Sequence, residues 1–144
     1  MSLEEQKNLA ESLRLFFVEN LPAELLPVNA GFFSLDGLLE NQAAMSLQIT
    51  GGRTVRRYLD GTRVEEMYFS LFYRDSNAND NEAKSAMLGT LNGIGTWLDQ
   101  NDPPFLGDGF IITKLEQIQA ANVIEQTPQQ ITYQAGFVLG YETR

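Results

Sequence analysis

Near its C-terminus the chain alternates: Ile131, Tyr133, Ala135, Phe137, Leu139 and Tyr141 are separated by one residue each. A period of two places all six on one face of an extended strand. A strand with one apolar face needs neighbours in a sheet and a second layer over that face. The pattern returns in 64–73, where Met67, Phe69, Leu71 and Tyr73 share one face and Glu66, Tyr68, Ser70 and Phe72 the other. Met45, Leu47 and Ile49 alternate with Ser46, Gln48 and Thr50, which predicts a third half-buried strand, closed by a turn at Gly51-Gly52. Residues 53–59 and 64–73 flank Asp60-Gly61, a hairpin signal because glycine tolerates the positive φ of a tight turn. Residues 109–118 and 120–126 read as two further strands before the 130–141 run.

Two segments carry the helical period. In 3–20, Leu9, Leu13, Phe16 and Phe17 form one stripe, with Glu5, Lys7, Glu11 and Arg14 off it, and Ser2 with Glu5 fits a capping box. Pro22 and Pro27 end that helix. A second helix is predicted from an Asn79 N-cap to about Gln100, with the stripe Ala83, Met87, Leu91, Ile94 and Leu98, Trp97 beside it, and Asn101-Asp102-Pro103-Pro104 as the stop. Residues 28–40 are apolar without a period and read as loop with one short strand. The order helix, three strands, helix, two or three strands predicts one α+β domain over 1–144. Its simplest form is an antiparallel sheet of about five strands with both helices packed on one face.

The 144 residues contain neither cysteine nor histidine. Disulfides, thiolate nucleophiles, imidazole acid–base relays and the usual zinc or haem ligands are therefore excluded, and the reading is non-enzymatic, with no cofactor and no metal. The lack of cysteine is compatible with a reducing cytosol. A net charge of −9 disfavours nucleic acid and anionic membrane surfaces. The acidic Met1-Ser2-Leu3-Glu4-Glu5 start does not read as a signal peptide, and no apolar run is long enough to cross a membrane.

Against that background five arginines, Arg53, Arg56, Arg57, Arg63 and Arg74, fall in the 53–74 region. Either they form a basic hairpin that docks on an acidic neighbour, or they pair across the strands with Asp60, Glu65 and Glu66. Tyr68 and Phe72, on what should be the outer face, are covered by a second layer or form an apolar patch. The candidate interface is Arg53, Arg56, Arg57, Tyr58, Arg63, Tyr68 and Phe72. Asp75-Ser76-Asn77-Ala78-Asn79-Asp80 is superficially like a calcium loop, but Asp80 stands where glycine is needed and Ala86 where the bidentate glutamate is needed. Glu65 and Glu66, adjacent in a strand, point to opposite faces and cannot act as an acid–base pair. Asp99, Asp102 and Asp108 surround the Pro-Pro loop, where acidic residues are ordinary. Gly89, Gly93 and Gly95 inside a helix ask for close backbone approach, to the chain's own sheet or to a neighbouring subunit.

The order of parts resembles the small phage and prophage minor capsid and tail-terminator-like proteins that complete the head–tail junction. The resemblance runs over most of the chain: the leading helix, the hairpin RRYLDGTRVEEMYFSLFYRD, the helix AKSAMLGTLNGIGTWLDQ, and a last strand with Tyr133, Phe137 and Leu139. It implies a virion structural protein assembled in the bacterial host cytoplasm, a homo-oligomeric ring, usually a hexamer, and tail-tube or head–tail connector partners. It implies no catalysis and no cofactor. In such a ring an acidic lumen lets DNA pass without sticking. The alternative is a small-ligand module with an apolar pocket between helix and curved sheet, lined by Trp97, Tyr133 and Tyr141.

Overall fold

The computed structural model describes residues 3–26, 33–35, 44–76 and 81–143. Its elements run α1 (Leu3–Asn20), a 3₁₀ turn (Ala23–Leu25), β1 (Phe33–Leu35), β2 (Ala44–Arg57), β3 (Arg63–Ser76), α2 (Asn81–Asp99), β4 (Phe110–Gln126) and β5 (Gln130–Thr143). The five strands form one sheet in the order β1-β2-β3-β5-β4. An α+β fold is what the two periodicities predict.

The sheet is mixed rather than antiparallel. β1 lies parallel to β2, Phe33 beside Met45 and Leu35 beside Leu47, while the β2–β3, β3–β5 and β4–β5 pairs are antiparallel. The Gly51-Gly52 turn is also corrected. Neither glycine has a positive φ; Gly51 sits opposite Tyr68 and Gly52 opposite Met67, and the pairing register shifts between Ile49 and Gly51. A bulge absorbs the extra residue, and glycine suits a bulge as well as a turn. The predicted 45–50 and 53–59 strands are thus one strand, and 109–118 and 120–126 merge likewise into β4, with four register shifts along it. The hairpin between β2 and β3 forms where Asp60-Gly61 predicts. Gly61 adopts φ 91°, Tyr58 N–H donates to Thr62 O at 2.8 Å, and the Asp60 carboxylate accepts Thr62 N–H at 2.9 Å.

In α1, Leu9, Leu13 and Phe17 have no solvent exposure. Leu21 N–H closes the last turn on Phe17 O, and Pro22, with no N–H of its own, then starts the 3₁₀ turn. The stripe of α2 buries Met87, Leu91, Ile94 and Leu98, and Asn101 Nδ2 caps the C-terminus by donating to Trp97 O at 2.7 Å. Ser2 and Asn79, the expected caps, lie outside the described residues, as do Pro27 and 36–40 of the expected loop. An added Cβ on Gly93 would lie 2.8 Å from Leu25 Cδ2, and one on Gly95 would lie 2.9 Å from Gln117 Cβ, so both glycines serve close approach within the chain. Gly89 meets nothing within 4 Å.

The core is an aromatic column across the sheet. Phe69 of β3 stacks on Phe137 of β5 with centroids 5.4 Å apart and planes at 11°, and Phe17 of α1 lies 6.4 Å from Phe69. Phe33 of β1 extends the column at 6.2 Å from Phe17, and Phe16 meets Trp97 of α2 at 5.7 Å. Burying each such ring contributes about 1.5–3 kcal/mol by transfer alone.

Candidate functional site

The β2–β3 hairpin divides its arginines by strand parity. Arg53 Nε donates to Glu66 Oε1 at 2.6 Å, Lys114 Nζ of β4 reaches Glu66 Oε2 at 2.6 Å, and Tyr68 OH donates to Glu66 Oε1 at 3.0 Å. One carboxylate thus ties three side chains from β2, β3 and β4 on a single face. The hydrogen bond from Lys114, then that from Arg53, holds the Glu66 carboxyl down at about 2. A lowered folded-state value means that the stabilisation is in place above the ordinary 4.5 and is lost as pH falls from there toward 2. Glu66→Gln is expected to flatten this acid limb, read as the urea midpoint from neutral pH down to about 2. An acid limb identical to that of the parent would show that other carboxylates set it.

Arg63 belongs to the opposite face. Its guanidinium lies 3.3 Å from Glu5 Oε2 of α1 and 3.3 Å from Glu65 Oε1. Glu65, fully buried, accepts both contacts of Thr54 Oγ1 at 3.0 and 3.1 Å, and Tyr141 OH donates to Glu5 Oε1 at 2.9 Å. Burial, then the Glu5 hydrogen bond, pushes the Tyr141 hydroxyl far above its usual range, so it stays a donor. Glu65 and Glu66 do point to opposite faces, each into its own cluster.

Of the arginines expected to pair across the strands with Asp60, Glu65 and Glu66, Arg53 meets Glu66 on the facing strand, whereas Arg63 meets Glu65 two residues along its own strand; Glu5, Thr54, Lys114 and Tyr141 were missed. A signal for Glu5 was present: Glu5, Leu9, Leu13 and Phe17 form one i, i+4 row, so Glu5 extends the buried stripe rather than lying off it. Asp60 pairs with no arginine among the described residues and caps the turn instead.

The hairpin tip is different. Arg56, Arg57, Tyr58 and Leu59 are exposed, Leu59 completely so, and Arg56 sits 6.0 Å over the Tyr58 ring. Beyond the tip, both ends of the sheet are open among the described residues. Among the described residues β4 pairs only with β5, and β1 covers β2 only from Met45 to Leu47. β4 exposes Ile111, Ile118, Val123 and Ile124. β2 carries Arg53, Arg56 and Arg57 with no acidic residue, a formal charge of +3, whereas β4 carries Lys114 against Glu116 and Glu125, a formal charge of −1. No family model matches the chain. No curated protein matches it either.

Tyr68 and Phe72 are half-buried on the Glu66 face, where Phe72 lines a cavity with Arg74. Tyr133 and Tyr141 are core residues and Trp97 packs at a tilt against Phe16. Among the described residues no group of three acidic side chains is placed to hold a metal ion, and no helix is long and apolar enough to cross a membrane. Residues 77–80 of the calcium-like segment lie outside the described residues.

Proposed function

We propose that this chain is a non-enzymatic structural subunit of a phage head–tail or tail assembly that forms a ring at the tail end or neck. The observation that carries the reading is the pair of sheet edges open among the described residues, basic on β2 beyond Leu47 and acidic on β4. Two unlike edges at opposite ends of one sheet suit head-to-tail pairing, which closes into a ring when the rotation allows. The exposed β4 isoleucines favour coverage, since a long apolar edge is an association hazard in a free monomer.

Both helices on one face of the sheet complete the picture. Phe17 of α1 lies on Phe69, Asn92 Oδ1 of α2 accepts from Gln117 Nε2 at 2.9 Å, and Gln117, Phe137 and Phe69 are register partners across β4, β5 and β3. The hairpin tip, with Arg56, Arg57 and Tyr58, is then the part that reaches a neighbouring copy, the tail tube or a connector. The acidic remainder repels passing DNA.

Sedimentation velocity over a concentration series tests this. The parent chain is expected to self-associate, and the double change Arg56→Glu with Arg57→Glu to abolish association while leaving the melting midpoint nearly unchanged, because exposed charges contribute within about 0.5 kcal/mol. A parent that stays monomeric at its highest soluble concentration, or a double variant that unfolds, would sink the assignment.

A further inference from the structure

On the Glu66 face, at the far end from the hairpin, a cavity of about 220 Å³ is lined by Ser46 and Gln48 of β2, Phe72 and Arg74 of β3, Ile124 and Glu125 of β4, and Thr132 of β5. Arg74 lies at the centre of that wall, opposite Ala44 on one side and Thr132 on the other. Its Nε and Nη2 atoms are buried and have no hydrogen-bond partner among the described residues. Glu125 lines the same cavity from an exposed position, and no ion pair joins it to Arg74 among the described residues.

Buried guanidinium donors without a partner are costly for a fold to keep, because they have given up water and received nothing. The identity of the two idle atoms narrows what would satisfy them. Nε–H and the Nη2–H beside it point the same way along one edge of the guanidinium plane, the fork that matches the two oxygens of a carboxylate. A phosphate would call for more donors and more positive charge than one arginine beside a glutamate supplies. Around the fork, Phe72 and Ile124 offer apolar surface and Ser46 and Thr132 hydroxyls, a lining suited to the short apolar body of a monocarboxylate.

We propose that the Arg74 cavity is a binding site for a carboxylate, held side-on by Nε and Nη2. The inference goes beyond ring assembly, since Arg74 stands on a central strand and not on an open edge. A carboxylate can arrive on a small molecule or on an acidic side chain of a second copy, and the test separates the two.

The probe is sodium benzoate, with benzamide as the uncharged isostere, followed by nitrogen–proton NMR of the labelled full chain. Benzoate is expected to move the Arg74 Nε–H resonance saturably, together with the Phe72 and Thr132 amides, and benzamide to leave them in place. Arg74→Lys keeps the charge and loses the fork, and is expected to bind benzoate at least about tenfold more weakly. Arg74→Gln should remove binding; circular dichroism confirms the fold, which is expected to be no less stable once the unpaired donors are gone. Saturable binding with unchanged sedimentation identifies a small-molecule ligand, and binding that dissociates oligomers identifies the carboxylate of another copy. The proposal is overturned if benzamide gives the same shifts, if the lysine variant binds equally well, or if benzoate moves nothing. It is equally overturned if Glu125→Gln shifts the Arg74 Nε–H signal without ligand, which would mean that Glu125 already fills the fork in solution.

Discussion

Phe69→Ala is expected to destabilise the protein by about 3–5 kcal/mol, a large share of the roughly 5–15 kcal/mol that a domain has in total. Phe69 has 1% exposure and sits between Phe17 and Phe137, with ring centroids at 6.4 and 5.4 Å. Its removal therefore takes away the transfer energy of the ring, leaves a cavity bounded by strands that cannot collapse independently, and breaks two aromatic contacts together. Phe69→Leu keeps most of the volume and should cost less than about half as much. Urea unfolding followed by far-ultraviolet dichroism measures both. A loss below about 1.5 kcal/mol for the alanine variant would mean that the column repacks, and the account of the core would have to change.

Arg63→Ala is the second large effect, a loss of about 3 kcal/mol. The guanidinium, 27% exposed, stands between Glu5 at 14% and Glu65 at 0%. Deleting it leaves two carboxylates facing each other across a sheet–helix junction, where Thr54 donates to Glu65 and Tyr141 to Glu5. Removing one partner of a buried pair is much costlier than replacing both, so Arg63→Met combined with Glu65→Leu is expected to recover most of the loss. A double variant no better than Arg63→Ala would show that the arginine acts through its packing and not its charge. The contrast with Arg56 and Arg57, seven and six residues away and expected to be dispensable for folding, is a contrast of parity and turn position, not of residue type.

That contrast also shows what was legible in the sequence. Helices α1 and α2, the Asp60-Gly61 hairpin and the faces of β3 and β5 followed from local periodicity, because each is written in residues two, three or four apart. The parallel β1 and the central place of β5 were not, since they depend on pairings between segments far apart in the chain. Gly51-Gly52 misled because a turn and a bulge ask the same thing of the backbone locally; only the continuous register with β3 distinguishes them. The arginine cluster was visible as composition, and its division into Arg53, Arg63 and the free tip needed the register. Lys114 could not be assigned to Glu66 because the bulges of β4 scramble its parity. The idle fork of Arg74 is a property of four strands at once, which no spacing rule reports.

The last strand in the chain lies between two others, flanked by β3 on one side and β4 on the other. Until β5 is synthesised β4 has no ladder to join, and Phe69 lacks the ring of Phe137 on which it stacks. A polypeptide emerging from a ribosome can settle its first hairpin early but must hold a seventeen-residue ribbon, Phe110–Gln126, unpaired until β5 follows it. Closure of the sheet is consequently a late event governed by long-range contacts, a topology that folds slowly for its size. It also makes β5, Gln130–Thr143, the keystone of the whole arrangement.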